Sequence, residues 1–176
     1  MNDGEDYFNL IAEEFVSKNK DVEHFLKKSA ISSTRLHQSA TYLVFIENEV
    51  AGFFTLAIKS INVLADILSK KEQKRISRLS KLDEKENVYS LPAILIAQFS
   101  RNFNKELETI SGDTLMDITK QYIFQVQDMV GGILFFLECE NEQKIINFYE
   151  KHNFKNLDSS RITKNNKELL QMYSIR

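Results

Sequence analysis

Tryptophan is absent, and the chain holds one proline, one cysteine and five glycines among its 176 residues. The single thiol, Cys139, excludes an internal disulfide and fits a reducing compartment. No apolar run approaches the roughly 20 residues that span a bilayer, and the acidic start "MNDGEDYFNL" lacks a basic-then-apolar leader pattern. A cytoplasmic protein is expected. No repeat or low-complexity linker interrupts the chain, so one domain over 1–176 is expected. His24, His37 and His152 stand apart, with no Cys or carboxylate at zinc-ligand spacing, so no metal is expected. A Gly-x-Ser-x-Gly elbow, a Walker loop and a Gly-x-Gly-x-x-Gly turn are missing as well. The formal net charge of −2 gives no general attraction to nucleic acid or anionic membranes, which leaves only local patches for such contacts.

What is present is an ordinary globular composition, 43% apolar and 27% charged, with 13 phenylalanines to fill a core. "EEFVS" (Glu13 to Ser17) reads as a short strand, and "DVEHFLKKSAI" as a helix with Asp21 as its N-cap. "TYLVFIENEVAGFFTLAIKSINV" reads as a hairpin turning at "ENE". A basic helical insertion follows at about 65–87, where Lys70, Lys71, Lys74, Arg75, Arg78 and Lys81 crowd one segment. That segment suits contact with RNA phosphates, contact with an adenosine phosphate, or a solvated helix face; it has no aromatic residue for base stacking. "VYSLPAILIAQFS" is apolar enough for a buried strand, although Pro92 requires a gap in the pairing beside it. A long helix is expected with Leu115, Ile118, Tyr122, Val126 and Met129 or Val130 on its buried face. Gly131 and Gly132 stop it before a second buried strand, "ILFFLEC". A helix over Glu140 to Asn153 and two short strands, "FKNL" and "LLQMYSI", close the chain. The order of elements is that of an α/β protein.

Two places suit chemistry. The junction "AQFSRNFNKELETISGDTLMD" leads from a buried strand into a helix N-terminus, where unpaired amides attract anions. There Ser111 and Thr114 offer hydroxyls, Ser111 and Asp113 are available to cap the helix, and Gly112 admits close approach. The same features suit an ordinary capped helix. "IINFYEKHNF" places Tyr149 where a helix meets the core, with Asn153 at the position of a C′ glycine. A buried tyrosine there either packs or donates a proton. Cys139 lacks a neighbouring base and reads as a small buried thiol.

In their order, these stretches resemble the GNAT family of acetyl-CoA-dependent N-acetyltransferases, most of all the branch that includes acetyltransferase toxins. "TYLVFIENEVAGFFTLAIKSINV" is similar to the family's second and third strands, and "LPAILIAQFS" to its fourth. "ISGDTLMDI" resembles its pyrophosphate loop and helix, and "INFYEKHNF" its Tyr-Glu-Lys-x-Gly-Phe ending. The likeness runs from about Glu13 to the C-terminus. The loop departs from the pattern, with Leu107 and Ile110 at two of the family's positions and Gly112 keeping the last small residue.

The resemblance implies a mixed, mostly antiparallel α+β sheet with helices on both faces and a splayed fourth strand. It implies acetyl transfer from acetyl-CoA to a primary amine by direct attack, without a metal. Backbone near Phe99 would face the thioester carbonyl, Phe99, Ser100 and Arg101 would hold the pantetheine arm, and Ile110 to Thr114 (Ile110, Ser111, Gly112, Asp113, Thr114) the pyrophosphate. Arg101 or Lys105 side chains would assist. Tyr149 matches the tyrosine that protonates the leaving thiolate, and Glu138 or water would act as base. The toxin branch adds an aminoacyl-tRNA acceptor, an antitoxin partner and a homodimer as expectations. The worn loop motif also suits an alternative: an inactive CoA-binding or protein-interaction module.

Overall fold

The computed structural model describes residues 3–104, 110–163 and 166–176. Six helices and seven strands are defined among them. The strands form one mixed, mostly antiparallel sheet in the order β1-β2-β4-β5-β7-β6, with the short β3 paired to β4. The strands are β1 (Ala40–Ile46), β2 (Glu49–Leu64), β3 (Leu82–Asp83), β4 (Val88–Arg101), β5 (Leu134–Glu140), β6 (Lys155–Ile162) and β7 (Glu168–Ile175). The described residues divide into two compact units, residues 1–57 with 97–122, and residues 58–96 with 123–176.

The first unit opens with α1 (Asp3–Glu13), which reaches Glu13 where a strand was expected. Phe15, just beyond it, is fully buried in a core with Ala12, Leu26, Ala30, Val50 and Phe53. Its ring meets Phe53 edge-on at 5.2 Å. Burial of one bulky ring in an irregular segment gives the same apolar signal as a strand. In α2 (Lys20–Lys28) the cap is Asn19, whose side chain accepts from the Asp21 amide, so Asp21 lies inside the first turn. The hairpin forms as read, with Ala40 opposite Leu56 and Ile46 opposite Glu49. Strand alternation then puts Phe54 on the face opposite Phe53, where it meets Tyr42 (5.1 Å) and Tyr122 of α5 (Gly112–Val130) at 5.4 Å. Helices thus cover both faces of the hairpin.

The second unit takes up the basic segment. It is helical over α4 (Lys70–Ile76), preceded by a short 3-10 turn, Ala65–Ile67, and followed by β3. Ser69 and Glu72 close a full capping box at the start of α4. Pro92 falls between the β3 ladder, which reaches Tyr89, and the parallel β5 ladder, which begins at Ile94. Its missing N–H thus costs no described pairing on that edge. The described β4–β5 ladder spans Ile94 to Ile96 against Phe135 to Leu137, whereas β5 pairs β7 along its full length to Glu140. Phe135 meets Phe124 at 6.1 Å and Phe154 at 5.4 Å, so α6 (Gln143–Lys151) and the end of α5 pack on the odd-numbered face of β5.

The buried face of α5 differs from the expected one. Leu115, Met116, Thr119, Ile123 and Gln127 are buried, while Tyr122, Met129 and Val130 are exposed. Thr119 fits because its hydroxyl donates to the Leu115 carbonyl. Polar residues on the buried side and apolar ones on the outer side moved the apparent stripe. The last two strands run to eight residues each, longer than the short runs that were apparent, because polar "DSSRI" continues β6 past a bulge.

Candidate active site

In the first unit the expected cofactor residues surround the end of β4 and the start of α5. Ser111 caps α5: its hydroxyl accepts from the Thr114 amide (3.0 Å) and lies 2.8 Å from the Thr114 hydroxyl. Among the described residues nothing accepts from the Gly112 amide at the first position of the helix. Ile110, Gly112 and Asp113 are partly buried, and Ser111 and Thr114 exposed. Leu107 and Lys105 lie outside the described residues. Gly52 of β2 explains how α5 comes so near the sheet. A Cβ there would stand 3.2 Å from the Leu115 methyls and 3.3 Å from the Ser100 carbonyl.

Phe99 is partly buried. The Ser100 side chain turns inward, 3.0 Å from the Ser17 hydroxyl, and donates to the Arg101 carbonyl. Arg101 reaches the Ile110 carbonyl at 3.4 Å. Sequence reasoning missed Asn102, which is 1% exposed. Its Oδ1 accepts from the Val16 and Asn104 amides, its Nδ2 donates to the Val50 carbonyl, and its own amide donates to Ala51. One side chain therefore ties the end of β4 to β2 and to the segment after α1. A single Asn in a polar loop carries no periodic signal, so nothing short of coordinates would have marked it.

In the second unit Tyr149 is partly buried on α6, with Phe148 at 5.2 Å and Phe154 at 5.7 Å, both edge-on. Among the described residues nothing hydrogen bonds its phenol. Burial, with the Cys139 thiol adding to it, pushes the phenol pKa well above its ordinary value. The group therefore stays protonated across the physiological range. Cys139 itself is pushed up to about 11 by burial and by Glu140, and its sulfur lies 3.8 Å from that of Met172. It is a neutral thiol, not a nucleophile. Asn153 adopts φ 61°, the left-handed geometry of a C′ residue.

Glu138 points away from Tyr149. Alternation along β5 puts Phe135, Leu137 and Cys139 toward α6 and Phe136 and Glu138 on the other face. There the Glu138 carboxylate accepts from Arg161 (3.1 Å) and Gln171 (3.0 Å). A groove of about 410 Å³ opens beside it, lined by Lys59, Asn62, Leu95, Phe136 and Arg161. Among the described residues no group of His, Cys, Asp or Glu is placed to hold a metal ion. No helix among them is long and apolar enough to cross a membrane.

The fold is that of the GNAT-type acetyltransferase toxins. AtaT complexed with acetyl-methionyl-tRNAfMet superimposes with a TM-score of 0.63 at 18% identity, over 90% of this chain and 85% of that one. A tyrosine-to-phenylalanine mutant of KacT gives 0.63 at 17% identity, over 95% and 90%. A mutant of AtaT bound to the C-terminus of the antitoxin AtaR and acetyl-CoA gives 0.60 at 13%, over 93% and 84%. No protein-family model matches the chain, and no curated protein matches it in sequence.

Proposed function

We propose that the protein transfers acetyl from acetyl-CoA to a primary amine, with Tyr149 as the acid. The observation that carries the reading is the Tyr149 phenol: held among aromatic rings, kept protonated by its surroundings, and engaged by no described protein group. A protonated phenol with no described protein partner is free to donate to a departing sulfur. The toxin fold, seen with acetyl-CoA in one neighbour and acetyl-methionyl-tRNAfMet in another, supports the same assignment.

In this reaction the neutral amine attacks the thioester carbonyl, a C–N bond forms and the C–S bond breaks. Tyr149 gives its proton to the departing sulfur, and the proton released by the amine passes to water or Glu138. Backbone at Phe99 to Arg101 holds the pantetheine arm, and Ile110 to Thr114 the pyrophosphate. The groove beside Glu138 receives the acceptor, for which we propose the amino group of an aminoacyl-tRNA. Incubation with radiolabelled acetyl-CoA and a charged tRNA pool tests this. Label should appear in the aminoacyl-tRNA fraction and be lost with Tyr149→Phe. Label transfer that Tyr149→Phe leaves intact would return this residue to packing. No transfer to aminoacyl-tRNA or small amines, despite cofactor binding, would favour the inactive CoA-binding module.

A further inference from the structure

We propose that a hollow walled by α4, β6 and β7 binds a small phosphate or phosphate ester, held by Lys71, Arg75 and the buried Tyr173 hydroxyl. The inference stands apart from acetyl transfer, since no residue lining this hollow lines the groove beside Glu138. The hollow, of about 280 Å³, lies within the second unit. Its charged wall residues are Lys71, Arg75 and Lys155 against the single acid Glu72. That acid is already committed. One carboxylate oxygen accepts from Lys155 at 2.7 Å, and the other from the Ser69 amide (2.9 Å) and hydroxyl (2.6 Å). The walls therefore keep an excess of two positive charges, in a chain whose formal net charge is −2.

The second observation is Tyr173. It is 1% exposed, and its phenol oxygen has no hydrogen-bond partner among the described residues. A buried hydroxyl left unpaired destabilises the fold, and an acceptor entering the hollow would recover that loss. Register puts Tyr173 directly opposite Lys155, at the end of the β6–β7 ladder remote from its turn, where Ile162 meets Glu168. Directly opposed residues share a face. The ring thus lies on the side from which Lys155 reaches Glu72 at the start of α4. Burial, with Glu72 and Asp158 adding to it, pushes the phenol up to about 12, so it meets a ligand as a protonated donor. A neutral phenol beside two cations favours an anion with several acceptor oxygens. A dianionic phosphate matches the charge excess and has oxygens for a guanidinium fork, an ammonium and a hydroxyl. A carboxylate would leave one charge unmatched. The walls are also fixed in advance. Ser69 and Glu72 close the capping box of α4, and the Gln73 side-chain amide donates to the Ala65 and Leu68 carbonyls. The Arg75 guanidinium is steadied by donating to the Arg176 carbonyl, and its remaining N–H groups serve the ligand.

The test is amide NMR of the full chain, titrated with inorganic phosphate and, separately, with glycerol phosphate. Saturable shifts should centre on Lys71, Arg75 and Lys155. Lys71→Ala and Arg75→Ala should each weaken binding about tenfold, the loss of one charge-assisted bond. Arg75→Lys should recover part of that loss. Tyr173→Phe should weaken binding several-fold and leave the thermal midpoint level or higher, because it removes the unpaired oxygen. Lys71 is exposed, so its variant tests the proposal even where Arg75→Ala or Tyr173→Phe folds poorly. Tighter binding of glycerol phosphate identifies an esterified ligand, and equal binding identifies phosphate itself. No saturation at millimolar phosphate overturns the proposal, as do shifts that chloride of equal ionic strength reproduces. So do Lys71→Ala and Tyr173→Phe variants within twofold of wild type. Binding of tRNA through Lys71 and Arg75 with no response to phosphate also overturns it, and would make α4 a polynucleotide surface. Each outcome is read whether or not the chain binds acetyl-CoA.

Discussion

At the scale of single residues, the proposed chemistry rests on Tyr149. Replacing it by Phe removes one oxygen that no described protein group bonds, so the fold should barely notice. General-acid catalysis contributes about 10² to 10⁴ in rate. Tyr149→Phe should therefore lose at least about 100-fold in acetyl transfer, with the acetyl-CoA affinity and thermal midpoint close to wild type. A comparable fall in both affinity and midpoint would show that the ring is structural. Glu138 differs: its carboxylate already accepts from Arg161 and Gln171, on the face of β5 away from α6. The position of Tyr149 on a helix at the core was readable from its neighbours Ile145, Phe148 and Phe154. The uncommitted hydroxyl was not, because hydrogen-bond partners come from residues distant in sequence. Asn102 was invisible for the same reason, since its partners include Val16 and Val50.

At the scale of elements, the close approach of α5 to β2 depends on Gly52. Leu115 is fully buried and the Ser100 carbonyl is backbone, so neither has room to yield to an added methyl. Gly52→Ala should cost about 1–3 kcal/mol by overpacking, read as a lower urea midpoint, and should weaken acetyl-CoA binding by shifting the start of α5. An unchanged midpoint and affinity would show that β2 and α5 tolerate separation. The hairpin, β4, β5 and the terminal pair were legible because strong alternation or long apolar runs mark them. The start of the chain and the buried face of α5 were not. Phe15 imitated a strand residue, and Thr119 and Gln127 occupy positions where apolar side chains would have marked the stripe. The loop motif gave little, since only Gly112 keeps the pattern, yet Ser111 caps α5 as its sequence position suggested.

At the scale of the whole molecule, stability should fall in alkali. The Cys139 thiol is raised from 9.0 to about 11 and the Tyr173 phenol from 10.0 to about 12, both chiefly by burial. Each pKa is higher in the folded than in the unfolded chain. The stabilisation is therefore complete below about pH 9 and is lost as pH rises toward 11 and 12. Urea midpoints should be level from pH 7 to 8.5 and then decline, less steeply in Cys139→Ala; a midpoint flat to pH 11 would refute the buried neutral thiol. The fold at large is shared with acetyltransferase toxins, and the proposed function depends on the cofactor. Calorimetric titration with acetyl-CoA is the most direct measurement. Saturable one-site binding that is weakened by Gly52→Ala and unaffected by Tyr149→Phe is the predicted result, and no binding at millimolar acetyl-CoA would contradict it.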